Sequence, residues 1–118
     1  MNNLQVITTE TLTKLTKKRA GETKFFEDAK YLTNFDDLTN MLSDTSVKFV
    51  LFGIKEDIGV LANKGRPGAK DSWDHTLKSL LNLQSNRTTK ASNVLVLGHL
   101  DFSELYDTIA ITKQDKLL

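Results

Sequence analysis

The 118 residues include no cysteine. That excludes disulfides, thiol nucleophiles and cysteine-ligated zinc. Neither sign of charge prevails, since 16 Lys and Arg against 15 Asp and Glu leave +1. No excess of basic residues therefore points to a nucleic-acid partner. No apolar run is long enough to cross a bilayer, and the opening MNNLQVITTETLTKLTKKRA lacks the apolar core of a signal peptide. A membrane partner is not expected, and a soluble, cytoplasmic protein is the default. The two histidines, His75 and His99, form no H-x-x-x-H, H-E-x-x-H or D-x-H-x-D arrangement, so no motif for a metal hydrolase stands in the chain.

What is present suits one small globular domain over residues 1–118, with 39% hydrophobic and 26% charged residues. A run over Val47–Ile54, VKFVLFGI, is apolar and rich in β-branched and aromatic residues. Its composition suits a strand buried on both faces of a parallel sheet. A helix is expected over Ser72–Asn82, with Asp71 or Ser72 as cap and Trp73, Leu77, Leu80 and Leu81 as its apolar stripe. VLVLGHL, Val94–Leu100, is a second strand of the buried type. Residues 47–100 thus read as a βαβ unit, with 1–46 as an N-terminal segment. In that segment Thr9–Lys18 carries Leu12 and Leu15 at helical spacing but is weakened by its threonines. Phe35–Leu42 reads as a helix capped by Asn34, with Phe35, Leu38, Met41 and Leu42 on one face. Beyond the unit, Phe102, Leu105 and Ile109 have the spacing of a short helix.

Between strand and helix lies EDIGVLANKGRPGAKDSW, Glu56–Trp73, with three of the six glycines and the single proline. Glycines at 53, 59, 65 and 68 do not have the spacing of a dinucleotide loop, and no G-K-[ST] ends the run. Gly65-Arg66-Pro67-Gly68 reads as a turn in which Pro67 fixes φ and Gly68 is free to take positive φ. Arg66 is a side chain able to hold a carboxylate or phosphate with two hydrogen bonds. Adjacent carboxylates at Glu56 and Asp57 diverge in direction, so loop solvation or hydrogen bonds to the turn explain them better than an acid/base pair. His75 reads as a surface residue. His99 follows Gly98 at a strand's carboxyl end, where ligands often bind, but has no neighbour in sequence to complete a site.

Three segments carry a resemblance. KRAGETK (Lys18–Lys24), the continuous run from Val47 to Asn86, and VLVLGHLDF (Val94–Phe102) resemble the N-terminal part of the ureohydrolase family, which includes arginase, agmatinase and formimidoylglutamase. Likeness is greatest to the bacterial formimidoylglutamase-like branch, in which G-I-x-E-D-I-G-V-x-A-N-x-G-R-x-G-A precedes L-N-x-Q-x-N. The resemblance implies an α/β fold, the N-terminal portion of a three-layer α/β/α sandwich with a mostly parallel sheet, incomplete in this chain. It implies hydrolysis of a guanidino or formimidoyl C–N bond of a small-molecule substrate, by a hydroxide bridging two manganese ions.

The family's metal ligands lie in Gly-Gly-His-Asp/Asn, Asp-x-His-x-Asp and late Asp-x-Asp segments, and none of these occurs here. His99 precedes the first metal histidine of the family and carries no role over. No catalytic or metal residue is therefore expected in this chain, which alone is expected to be inactive. Asn63 and Arg66, in the loop that borders the family's active site, are the candidate substrate-side contacts. Lys55 stands where relatives often carry proline. The alternative is a stand-alone, non-catalytic α/β module for association or small-ligand binding. If the sheet is incomplete, uncovered apolar faces or unpaired strand edges also predict a homo-oligomer.

Overall fold

The structure is a computed structural model that describes residues 3–58, 65–66, 68, 71–86, 88, 90–105 and 108. Four strands form one mixed sheet around β4, Val94–Asp101. Strand β3, Phe49–Lys55, runs parallel to β4 along its whole length, from Phe49 opposite Val94 to Lys55 opposite Asp101. A strand has two edges, so two short strands share the other one. The strand β2, Lys30–Tyr31, pairs parallel to residues 95–96, and β1, Leu4–Gln5, pairs antiparallel to residues 99–100. The chain is thus of the α/β class, with two parallel pairings and one antiparallel.

Helix α1 covers Thr9–Leu15 and begins where the Thr8 hydroxyl accepts the Thr11 N–H at 3.1 Å. Phe25–Asp28 forms α2, one turn whose Glu27 carboxylate accepts the Lys24 N–H at 2.8 Å, half of a capping box. The expected helix over Phe35–Leu42 divides into a 3₁₀ turn, Phe35–Asp37, and α3, Leu38–Leu42. Asn34 caps the first turn by accepting the Asp36 N–H at 3.0 Å. Its apolar residues do not form a buried face, since Phe35 and Leu42 are exposed.

Helix α4, Ser72–Leu81, is the element on which the core is organised. Trp73, Leu77 and Leu81, spaced by four, are buried against Ile7, Phe25 and Val96, with Leu80 and Leu51 packed at the margin. Asp71 occupies the cap position, but its side chain makes no capping bond. Its backbone is already helical there, so the carboxylate does not lie over the first-turn N–H groups.

Two glycines inside strands have packing roles. Gly53 faces Trp73 so closely that a Cβ would stand 2.7 Å from the ring's Cε3 and nearer still to Cγ and Cδ2. Gly98 has φ +120, and a Cβ there would run into the Gln5 carbonyl of β1. At the same place the β3 register steps from Val96 to Gly98, so Leu97 is the extra residue of a bulge.

One expectation is corrected. β3 is not buried on both faces: Leu51 and Gly53 face α4, whereas Val50 (42% exposed), Phe52 (47%) and Ile54 (54%) stand on the opposite face in solvent. Burial on both faces needs a second covering layer, and no described element lies over these three residues. Among the described residues, no helix is long and apolar enough to cross a membrane.

Candidate functional site

The carboxyl ends of β3 and β4 lie side by side because the two strands are parallel and in register, and the Glu56–Trp73 run leaves from this edge. In open α/β sheets ligands bind outside this end of the strands. Asp57, two residues past β3, is 2% exposed, and its Oδ2 accepts the Gly68 N–H at 2.6 Å. That bond closes the loop on itself. It also explains the adjacent carboxylates as turn chemistry, with Asp57 turned inward and Gly68 at φ +146. Arg66 is exposed on this loop. Asn63 and Pro67 lie outside the described residues, so the pairing of Asn63 with Arg66 at one site remains an expectation.

Beside the loop, four charged or titratable side chains cluster over the α4 end of the sheet. Lys55 Nζ forms an ion pair with Asp74 Oδ2 at 3.1 Å, tying the end of β3 to the first turn of α4. His99 lies opposite Gly53 in the register, which places it on the α4-covered face. Burial holds its pKa below the ordinary histidine value, assisted by the Lys55 ammonium and opposed by Asp74 and Asp101. Its neutral ring is therefore favoured. Asp101 accepts the Ser103 N–H at 2.9 Å, and that bond holds its carboxyl below the usual carboxylate range. The Lys55–Asp74 tie joins residues 19 positions apart, a distance at which sequence gives no pairing signal.

His75 is exposed on α4, as its sequence position predicts. Among the described residues no group of three or more His, Asp or Glu is placed to hold a metal ion. No step through manganese is assigned to these residues. What the edge offers is an ion pair between Lys55 and Asp74, a neutral histidine, the Asp101 carboxylate and a loop pinned through Asp57.

Comparison with protein-family models, curated proteins and solved structures finds no match.

Proposed function

We propose that this chain supplies the N-terminal part of a manganese-dependent ureohydrolase of the formimidoylglutamase-like kind, with arginase or agmatinase activity as the nearest variants. The reading rests on one observation, the ordered run of residues from Val47 through Trp73 to Asn86. The parallel β3–α4–β4 arrangement supports it, since Glu56 and Asp57 leave β3 at the carboxyl edge of the sheet. In this reading Arg66 and Asn63 lie on the substrate side, the manganese ligands come from sequence other than these residues, and this chain alone does not turn over substrate. The coding sequence tests the proposal. It is expected to continue past Leu118 into Gly-Gly-His and Asp-x-His-x-Asp segments; a stop codon directly after Leu118 contradicts it.

A second reading, a non-catalytic association module, is favoured by β3. The Lys48 N–H donates to the Asn93 carbonyl, so the backbone groups of residues 48, 50, 52 and 54 face β4. Those of 49, 51, 53 and 55 face the outer edge, which pairs with none of the described residues. Antiparallel pairing of two copies across a two-fold axis at Phe52 matches these outward groups along the full strand. It sets Val50 opposite Ile54 of the second copy and Lys48 opposite Glu56 of the second copy, favourable cross-strand pairs in both cases. The two Phe52 Cα atoms would then stand about 4.5 Å apart, within reach of a disulfide.

Because the chain has no cysteine, Phe52→Cys reports on this arrangement alone. Mild oxidation is expected to give a covalent dimer, while Thr76→Cys, exposed on α4, gives none. Equal cross-linking of both variants, or of neither, refutes the pairing.

A further inference from the structure

At the far end of α4, about 12 Å from Asp74 at 1.5 Å rise per residue, lies a cleft of about 510 Å³ between α4 and the segment that follows α1. Five of its nine lining residues are cationic, Lys14, Lys17, Arg19, Lys24 and Lys78, and none is acidic. In a chain whose net charge is +1, this is a strong local concentration of one sign.

A bland account exists for part of it. Lys14 and Lys78 sit in the last turns of α1 and α4, where the helix dipole favours cations. Lys14 also meets Glu10 at 3.4 Å, but both side chains are largely exposed, which makes the pair weak. The helix ends do not account for Lys17, Arg19 or Lys24.

Lys24 is the decisive residue. It is only 8% exposed, and the partner of its Nζ is the Asn82 Oδ1 at 3.4 Å. An ammonium carries three donors, and a buried cation is normally paired with an anion. Neither carboxylate close in sequence pairs with it: no ion pair joins it to Glu22, and Glu27 accepts the Lys24 backbone N–H and meets Lys18 at 3.6 Å. Asn82 has no spare capacity. Its amide donates to the Leu15 and Lys78 carbonyls at 2.7 Å each, and its Oδ1 also accepts the Lys17 N–H at 3.1 Å. Asn82 thus fixes the walls of the cleft while the Lys24 ammonium keeps donors for a further partner.

We propose that this cleft binds a compact polyphosphate anion, with Lys24 as the buried anchor. Arg19 supplies a planar fork suited to two phosphate oxygens, and Lys14, Lys17 and Lys78 act as point charges around it. No aromatic side chain lines the cleft, so it lacks the stacking platform with which proteins hold bases of single strands. The ligand is recognised through its phosphates, as a small molecule rather than as nucleic acid. The inference uses none of the residues of the β3 edge, so a failure to bind triphosphate leaves the hydrolase reading to its own test.

Calorimetric titration of the 118-residue protein with inorganic triphosphate at physiological ionic strength tests it, with orthophosphate and a single-stranded oligonucleotide in parallel. Triphosphate is expected to bind at one site, at least tenfold tighter than orthophosphate. Lys24→Met is expected to weaken it tenfold or more, and Lys48→Met, on the distant strand side, to leave it within twofold. Lys24 is buried, so the paired exposed substitutions Lys17→Gln and Arg19→Gln provide a second variant with little risk to folding; together they are expected to weaken triphosphate at least tenfold. Equal affinity of the native protein, Lys24→Met and the double variant for triphosphate overturns the proposal. So does no binding by the native protein, or binding of the oligonucleotide tighter than triphosphate.

Discussion

Replacing Gly53 by alanine would set a methyl group inside the indole of Trp73. The backbone conformation at Gly53 is open to any residue, so the demand for glycine there is one of space alone. A Cβ would stand 2.7 Å from Cε3 and closer to two other ring atoms, against about 3.5–4.0 Å for carbons in comfortable contact. The ring must withdraw by roughly 1 Å or more to restore that distance. It is buried and continuous with Leu77 and Leu81, so withdrawal lifts the first turn of α4 from the sheet. Overpacking of this kind costs about 1–3 kcal/mol, and removing a flexible glycine from a strand returns about 0.5–1 kcal/mol. The strain falls on backbone and ring rather than on a flexible side chain, which favours the upper part of that range, a net loss of about 2 kcal/mol.

Urea unfolding followed by the fluorescence of Trp73, the only tryptophan, reads this loss directly. The midpoint is expected to fall by about 0.7–2 M with an unchanged slope, for slopes of about 1–3 kcal/mol/M. Trp73→Leu in the Gly53→Ala background, followed by circular dichroism, is expected to cost less than the two single changes added together. An unchanged midpoint for Gly53→Ala, or strict additivity in the pair, would show that β3 and α4 do not meet as described.

Other expectations concern the same architecture. Asp57→Ala removes the acceptor of the Gly68 N–H and is expected to cost about 1–3 kcal/mol; a change below 0.5 kcal/mol in chemical denaturation would mean that the loop is held otherwise. Gly98→Ala is expected to detach β1 from β4, because its Cβ meets the Gln5 carbonyl, and hydrogen exchange should show the Asp101 N–H, which donates to Asn3, losing protection before the amides of α4. His99, whose pKa lies below its unfolded value of 6.5, binds fewer protons folded than unfolded as the pH falls below 6.5. Stability is therefore expected to drop from about pH 6.5 down to the folded-state pKa and to level off below it as far as this residue is concerned. His99→Gln should flatten that segment of the pH–stability curve, and an unaltered slope refutes the assignment.

The parts of the fold that sequence reveals are those carried by local pattern. Trp73, Leu77 and Leu81 repeat at helical spacing and are buried in the helix they predict, and the two apolar runs are the two long parallel strands. Turn chemistry was legible in part: Gly68 takes the positive φ expected of it, whereas its bond to Asp57, 11 residues away, has no local signal. The apolar run of β3 gave no means of telling one covered face from two, because Val50, Phe52 and Ile54 are as apolar as their neighbours and yet stand in solvent. Strands β1 and β2 have two residues each, too few for a periodicity to exist.

The basic cleft joins Lys14–Lys24 to Lys78 and Asn82 across more than 50 positions, and tertiary contact assembles it, through Asn82 and the backbone bonds of Phe25 to Leu83 and Ser85 to Thr23. Of the two substrate-side candidates, Arg66 is exposed beside the pinned turn, in keeping with the loop's place in the sheet.

Manganese-dependent release of glutamate from formimidoylglutamate, measured for the product of the uninterrupted reading frame beside the 118-residue chain, tests the hydrolase account most directly. The account predicts turnover by the longer product and none by these 118 residues. Turnover by the 118-residue chain, or none by the longer product with formimidoylglutamate, agmatine or arginine, contradicts it.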